Sequence, residues 1–198
     1  MPLADLTVTA TVRRPGRNVA FGEGTLADDR GPLLLARGWT MRRADVDLPA
    51  EVREPLEPPT PPEAATREPF FEVPWDVGYH TAMDIRFVAG GFTRPGPASV
   101  WMRPLQPVVA GTALTPLQRV LTAADAGSGV SAWLSTGDWR FINTDLSVHL
   151  SRHPEGEWVN LDARTRLEPD GVGLAESRLQ DERGVVGRSL QSLLVARA

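Results

Sequence analysis

Residues 4–43 align in sequence on residues 157–196 without a gap, at a constant offset of 153. Ala10 then meets Ala163, Arg13 meets Arg166, Glu23 meets Glu176 and Leu26 meets Leu179. Asp28, Arg30 and Gly31 fall on Asp181, Arg183 and Gly184. A chain that repeats itself in phase over this length is expected to build one supersecondary unit twice. That unit reads as three antiparallel strands. In the first copy Leu6, Val8, Ala10 and Val12 alternate with Thr7, Thr9, Thr11 and Arg13, the period of a half-buried strand. Pro15-Gly16 makes a turn into a second strand over 18–27, and Asp28-Asp29-Arg30-Gly31 makes a hairpin with Gly31 available for positive φ. A third strand runs over 33–42. The second copy places strands at 157–167, 172–179 and 185–195, with Asp181-Glu182-Arg183-Gly184 at its hairpin.

The two copies are separated by a proline-rich stretch. Between Pro49 and Pro74 lie eight of the 18 prolines, including Pro58-Pro59 and Pro61-Pro62. Proline donates no ladder hydrogen bond and cannot continue a helix, so residues 48–75 are expected to form an extended linker. This divides the chain into residues 1–47 and residues 76–198.

The second part has more ahead of its repeat. Strands are expected at 79–89 and 98–103, with the Gly/Pro-rich residues 90–97 between them. Thr115-Pro116 is a helix start, Thr at N-cap and Pro at the first helical position. Leu117, Val120, Leu121 and Ala124 follow at helical spacing, and Ala126-Gly127-Ser128-Gly129 is expected to break the helix. A long strand is expected over 140–151. Strands, one helix, then four antiparallel strands is an α+β order, the layout of a hotdog domain, in which an antiparallel sheet wraps a helix. Residues 76–198 supply a whole domain and 1–47 the last half of another. If the two copies began alike, a stretch including a helix is absent ahead of the first.

Composition excludes several chemistries. There is no cysteine, hence no disulfide, thiolate metal site or cysteine nucleophile. All 21 basic residues are arginine, which excludes a Schiff-base lysine and the lysine of a phosphate-binding P-loop. The histidines are His80, His149 and His153, too few and too poorly spaced for a metal site, so no metal and no cofactor is expected. A net charge of −4 argues against nucleic acid as a partner. No apolar run approaches the ~20 residues of a membrane span, and no secretory signal is visible, so a cytoplasmic setting is expected. Open sheet edges favour self-association, and a homo-oligomer is expected.

Several short motifs sharpen the reading. Arg14-Pro15-Gly16-Arg17, Ala124-Asp125, Phe141-Ile142-Asn143-Thr144-Asp145, Pro154-Glu155-Gly156-Glu157-Trp158 and Ser189-Leu190-Gln191 occur in this order. In order and over nearly the whole chain, they resemble the motifs of double-hotdog acyl-CoA thioesterases of the thioesterase II (TesB-like) type. The resemblance implies hydrolysis of acyl-CoA, or of an acyl thioester on a carrier protein, without a covalent serine triad. It implies a catalytic carboxylate at Asp125, an amide at Gln191 and a third polar group at Asn143. Asn143 departs from the small hydroxyl residue frequent in the family at that place. Thr144 beside it points to the other sheet face and stands as a substrate-binding candidate. So do Gly127, Ser128 and Gly129, through backbone N–H groups, and Arg14 and Arg17, through the CoA phosphates.

The residue types suit the chemistry. A thioester carbonyl is already electrophilic, so a positioned water and a general base suffice. Asp125, at a helix C-terminus, faces the negative end of the helix dipole. Gln191 and Asn143 offer both donors and acceptors for the water and an oxyanion. Gly38 occupies the place of Gln191 in the first copy, so one site is expected rather than two. The competing reading is a non-catalytic acyl-binding or scaffold protein, favoured by Asn143 and by the helix missing from the first copy.

Overall fold

The computed structural model describes residues 4–70, 73, 76–135 and 137–198. Four residues of the proline-rich stretch (Phe71, Glu72, Pro74 and Trp75) therefore lie outside the described residues, as do Met1-Pro2-Leu3. The chain forms two compact units, Met1–Glu54 and Pro55–Ala198.

The first unit is a three-stranded antiparallel meander of β1 (Thr7–Arg14), β2 (Val19–Asp28) and β3 (Gly31–Met41), in that order. Its hairpin turns at Gly31, φ 132°, a conformation that a side chain would strain. The Asp28 carboxylate accepts from the Arg30 backbone N–H at 2.9 Å, closing the turn.

The second unit opens with α1 (Tyr79–Ala82), β4 (Met83–Gly91) and β5 (Arg94–Pro104), then α2 (Pro116–Ala124) and α3 (Gly127–Val130). It ends with β6 (Trp139–Asn143), β7 (Ser147–Leu150), β8 (Val159–Leu167), β9 (Val172–Asp181) and β10 (Gly184–Arg197). Seven strands make one antiparallel sheet, ordered β4-β5-β8-β9-β10-β6, with β7 also paired to β10. The sheet curls over the helices. Val120, Ala123 and Ala124 of α2 and Val130 of α3 share one core with Val100, Met102, Leu161, Ala163 and Leu179.

The sequence repeat is a repeat of register. Val8 opposes Leu26 as Leu161 opposes Leu179, and Gly22 opposes Gly38 as Ala175 opposes Gln191. Even the bulge recurs: Leu33 in β3 and Val186 in β10, equivalent at the same offset, are each the extra residue of a shifted ladder. At the second hairpin Asp181 accepts from the Arg183 N–H at 2.9 Å, and Gly184 has φ 129°.

Several expectations are corrected. The strand expected at 79–89 begins with one turn of helix. The Gly/Pro-rich residues after Gly91 belong largely to β5: ladder pairs with β8 run only from Ala98 to Met102, so Pro95 and Pro97 remove no donor from that ladder. The strand expected over 140–151 is two strands on one edge of β10. Between them the Thr144 N–H donates to Ser192 O at 3.0 Å, and Asp145 Oδ1 accepts from the Ser192 N–H at 2.8 Å. A side-chain oxygen thus takes the place of a ladder carbonyl. The apolar stripe of α2 is also rotated from the expected one, because Leu117 and Leu121 are exposed while Val120, Ala123 and Ala124 are buried.

The proline-rich stretch divides at Glu54. Beyond it, Thr66 exchanges both backbone hydrogen bonds with Phe87, at 2.9 and 2.7 Å. Thr60 O accepts from Trp101 Nε1 at 2.7 Å, and Pro62 O from Arg86 at 3.2 Å. Trp101 is buried and its indole N–H needs an acceptor, which the proline-rich segment supplies through its carbonyls.

Candidate active site

Three side chains far apart in sequence meet where α2 ends. The helix starts on a capping box: Thr115 Oγ1 accepts from the Gln118 N–H at 3.2 Å, and the Thr115 N–H donates to Gln118 Oε1 at 2.9 Å. Asp125 caps its other end. Asn143, the last residue of β6, donates from Nδ2 to Asp125 Oδ1 at 2.9 Å. Gln191 of β10 donates from Nε2 to the Asp125 carbonyl at 2.9 Å and to Oδ1 at 3.3 Å.

Gln191 is itself fixed. It is 1% exposed, and its Oε1 accepts from the Ser128 N–H at 2.9 Å. This bond assigns the amide orientation, since a backbone N–H can only donate. The amide therefore lies under Gly127, where a Cβ would come within 3.0 Å of Gln191 Oε1 and 2.8 Å of Ser177 Oγ. Glycine is needed there for close approach rather than for its φ. Helix α2 does break before Gly127, at Asp125-Ala126, but Gly127, Ser128 and Gly129, expected within the break, start α3.

The carboxylate is consequently used unevenly. Oδ1 takes both amide donors, while among the described residues nothing donates to Oδ2. Asp125 is exposed and lines a cavity of about 220 Å³ whose other walls include Phe70, Tyr79, Ile85, Phe92, Met102 and Val130. Ser128 and Gly129 line it too, so part of the expected glycine-rich contribution is in place, though the Ser128 N–H is committed to Gln191.

Thr144, Arg14 and Arg17 make none of these hydrogen bonds. Thr144 is exposed and bonds the Ser192 carbonyl, from its N–H at 3.0 Å and from Oγ1 at 3.4 Å, rather than the carboxylate. Arg14, paired with Phe21, and Arg17 are exposed residues of the first unit.

Sequence reasoning passed over Tyr79, the chain's only tyrosine. Its hydroxyl donates to the Thr122 carbonyl at 2.9 Å, three residues before Asp125. Burial of the hydroxyl end, and secondly the Asp125 charge, push the phenol well above its ordinary range. The aromatic walls come from three separate places in the chain and carry no shared spacing. Only the rarity of tyrosine could have marked Tyr79.

Known proteins share this architecture. A Thermobifida fusca protein assigned as a thioesterase II matches with a TM-score of 0.70 at 19% identity, over 97% of this chain and 73% of that one. The acyl-CoA thioesterase II TesB2 of Mycobacterium marinum matches with a TM-score of 0.61 at 14% identity, over 96% and 73%. A hot dog fold protein of unknown function from Alicyclobacillus acidocaldarius gives 0.66 at 16% identity, over 98% and 72%. At these identities the likeness establishes the hotdog fold. No curated protein matches the chain. The family model of the acyl-CoA thioesterase C-terminal domain matches residues 56–195, a span that holds Asp125, Asn143 and Gln191 together. By that match, which covers well over half of its length, this chain belongs to the acyl-CoA thioesterase C-terminal domain family, and thioester hydrolysis is its class of reaction.

Proposed function

We propose that the second unit hydrolyses acyl-CoA, or the same acyl thioester on a carrier protein, with Asp125 as general base. One observation carries this: Asp125 lines an apolar-walled cavity with one carboxylate oxygen held by two amides and the other open. Oδ2 accepts the proton of a water whose oxygen attacks the thioester carbonyl carbon. The Asn143 side-chain oxygen, which has no hydrogen bond among the described residues, accepts a hydrogen bond from the water's remaining O–H and orients it. The tetrahedral intermediate carries its negative charge on the former carbonyl oxygen, close to the backbone at Gly129. The C–S bond then breaks, the sulfur leaves with the electron pair, and Asp125 returns its proton to give thiol and acid.

Gln191 has another task in this scheme than the direct contact expected from its residue type. With its oxygen on Ser128 and its nitrogen on Asp125 it is a positioning residue, holding the carboxylate in one rotamer. The reading keeps a cytoplasmic setting and self-association through the sheet's end strands, which light scattering on the purified chain would test.

The test is thiol release from a panel of acyl-CoAs by the wild type and by Asp125→Asn. The expected result is turnover that falls by about 10³-fold or more in the variant. Turnover unaffected by the change would overturn the mechanism. Acyl-CoA binding without turnover in the wild type would instead favour the scaffold reading.

A further inference from the structure

A second cavity, of about 360 Å³, adjoins the one beside Asp125 and is lined by Arg67, His80 and Asp84 among others. Phe70, Ile85 and Phe92 line both cavities, so they form the wall between them. Phe92 follows β4 and is fixed on two sides. Its ring stands edge-on to Phe87 at 5.0 Å and to Phe70 at 4.7 Å between centroids. Phe87 is buried, at 3% exposure, and anchors the arrangement to the core.

Wall position and cavity size together favour some groups over others beside Asp125. An apolar cavity of roughly 150 Å³ accepts a benzene ring, so about 220 Å³ takes a ring with a short spacer, or a short chain. A long chain extending past Phe92 enters a space bordered by Arg67, Glu68 and Asp84 as well as by Met83 and Leu105. Methylenes there would strip water from the exposed Arg67 guanidinium without replacing its hydrogen bonds. The offset and edge-on geometries preferred between aromatic rings are on offer to an aryl group beside Phe70, Tyr79 and Phe92.

Resting on the proposed acyl-thioester reading, we infer that Phe92 is a specificity-determining residue that confines the acyl group to compact aryl or short-chain types. Removing its ring joins the two cavities and relaxes the limit.

The experiment measures binding, so it does not depend on turnover. Calorimetric Kd values are taken for hexanoyl-, phenylacetyl- and palmitoyl-CoA on the full chain, Phe92→Leu and Phe92→Ala, each also carrying Asp125→Asn to prevent hydrolysis. The parent is expected to bind the two compact acyl groups at least about tenfold more tightly than palmitoyl, the scale of discrimination an apolar pocket achieves. Both Phe92 variants should narrow that ratio by a similar factor, with Leu serving if Ala does not fold. A parent that prefers palmitoyl, a ratio unmoved in a folded Phe92 variant, or no binding by any of the three overturns the inference. Turnover by Asp125→Asn alone would overturn the proposed mechanism and leave the acyl preference standing on the Kd values.

Discussion

Gln191 Oε1 accepts the backbone N–H of Ser128 at 2.9 Å, across 63 residues of chain. The same amide's nitrogen reaches Asp125. Replacing Gln191 by Ala leaves the buried Ser128 N–H unpaired and the carboxylate held by Asn143 alone. The expected outcome is a fall in kcat of about 10²-fold with KM little changed, since the side chain is placed to orient the base rather than to bind substrate. Steady-state kinetics with a thiol reagent read both parameters. A rise in KM at constant kcat would contradict the positioning role.

Two glycines two residues apart should respond oppositely. A Cβ at Gly127 meets Ser177 Oγ at 2.8 Å and Gln191 Oε1 at 3.0 Å, whereas one at Gly129 meets nothing within 4 Å. Gly127→Ala should therefore displace the amide, lowering kcat and destabilising the unit by about 1–3 kcal/mol. Gly129→Ala should leave thermal stability unchanged. Differential scanning fluorimetry and kinetics on the pair check both statements.

The lone tyrosine gives a spectroscopic prediction. Burial and the neighbouring Asp125 charge push the Tyr79 phenol above its ordinary 10.0. A folded-state value above the unfolded one favours folding at lower pH, and that contribution is lost as pH rises past the ordinary phenol range. Tyrosinate absorbance near pH 10 should be absent in the native protein and appear on denaturation. A native titration at the unperturbed value would contradict the placement of the hydroxyl on Thr122.

Asp181 gives the opposite sign. Burial raises its carboxyl, but hydrogen bonds from Arg152, Glu155 and Arg183 more than offset this and hold it below its ordinary 3.8. A depressed value contributes stability above the unfolded pKa, lost as pH falls through the folded one. Asp181→Asn should lower stability near neutrality and flatten the loss of stability below pH ~4. Chemical denaturation at a series of pH values measures the slope.

What could be read in advance was what neighbouring residues decide among themselves. The hairpins at Asp28–Gly31 and Asp181–Gly184 and the Thr115-Pro116 helix start depend on local hydrogen bonds and φ preferences, and each stands where the residues implied. The repeat carried register as well, since equivalent residues pair in both copies, but the half-buried face expected of the first strand is not there: every residue of β1 is exposed, while in the second copy the alternation does face a core. The break at Thr144-Asp145 was hidden, since it depends on Asp145 reaching Ser192, a residue of another strand. The packing of 55–70 was hidden for a related reason. Prolines announce an extended backbone, but Trp101, Arg86 and Phe87, elsewhere in the chain, determine which carbonyls are used. At the site, Asp125, Asn143 and Gln191 could be named through a family likeness, while the cavity wall of Phe70, Tyr79 and Phe92 is assembled from unrelated positions.

The two amides that hold Asp125 both hold the same oxygen. In the proposed reaction the proton arrives on the other one. The joint between helix and sheet runs through the amide-bound oxygen, the Asp125 carbonyl and the Ser128 N–H, while the proposed chemistry cycles on the other carboxylate oxygen, so no turnover has to loosen it.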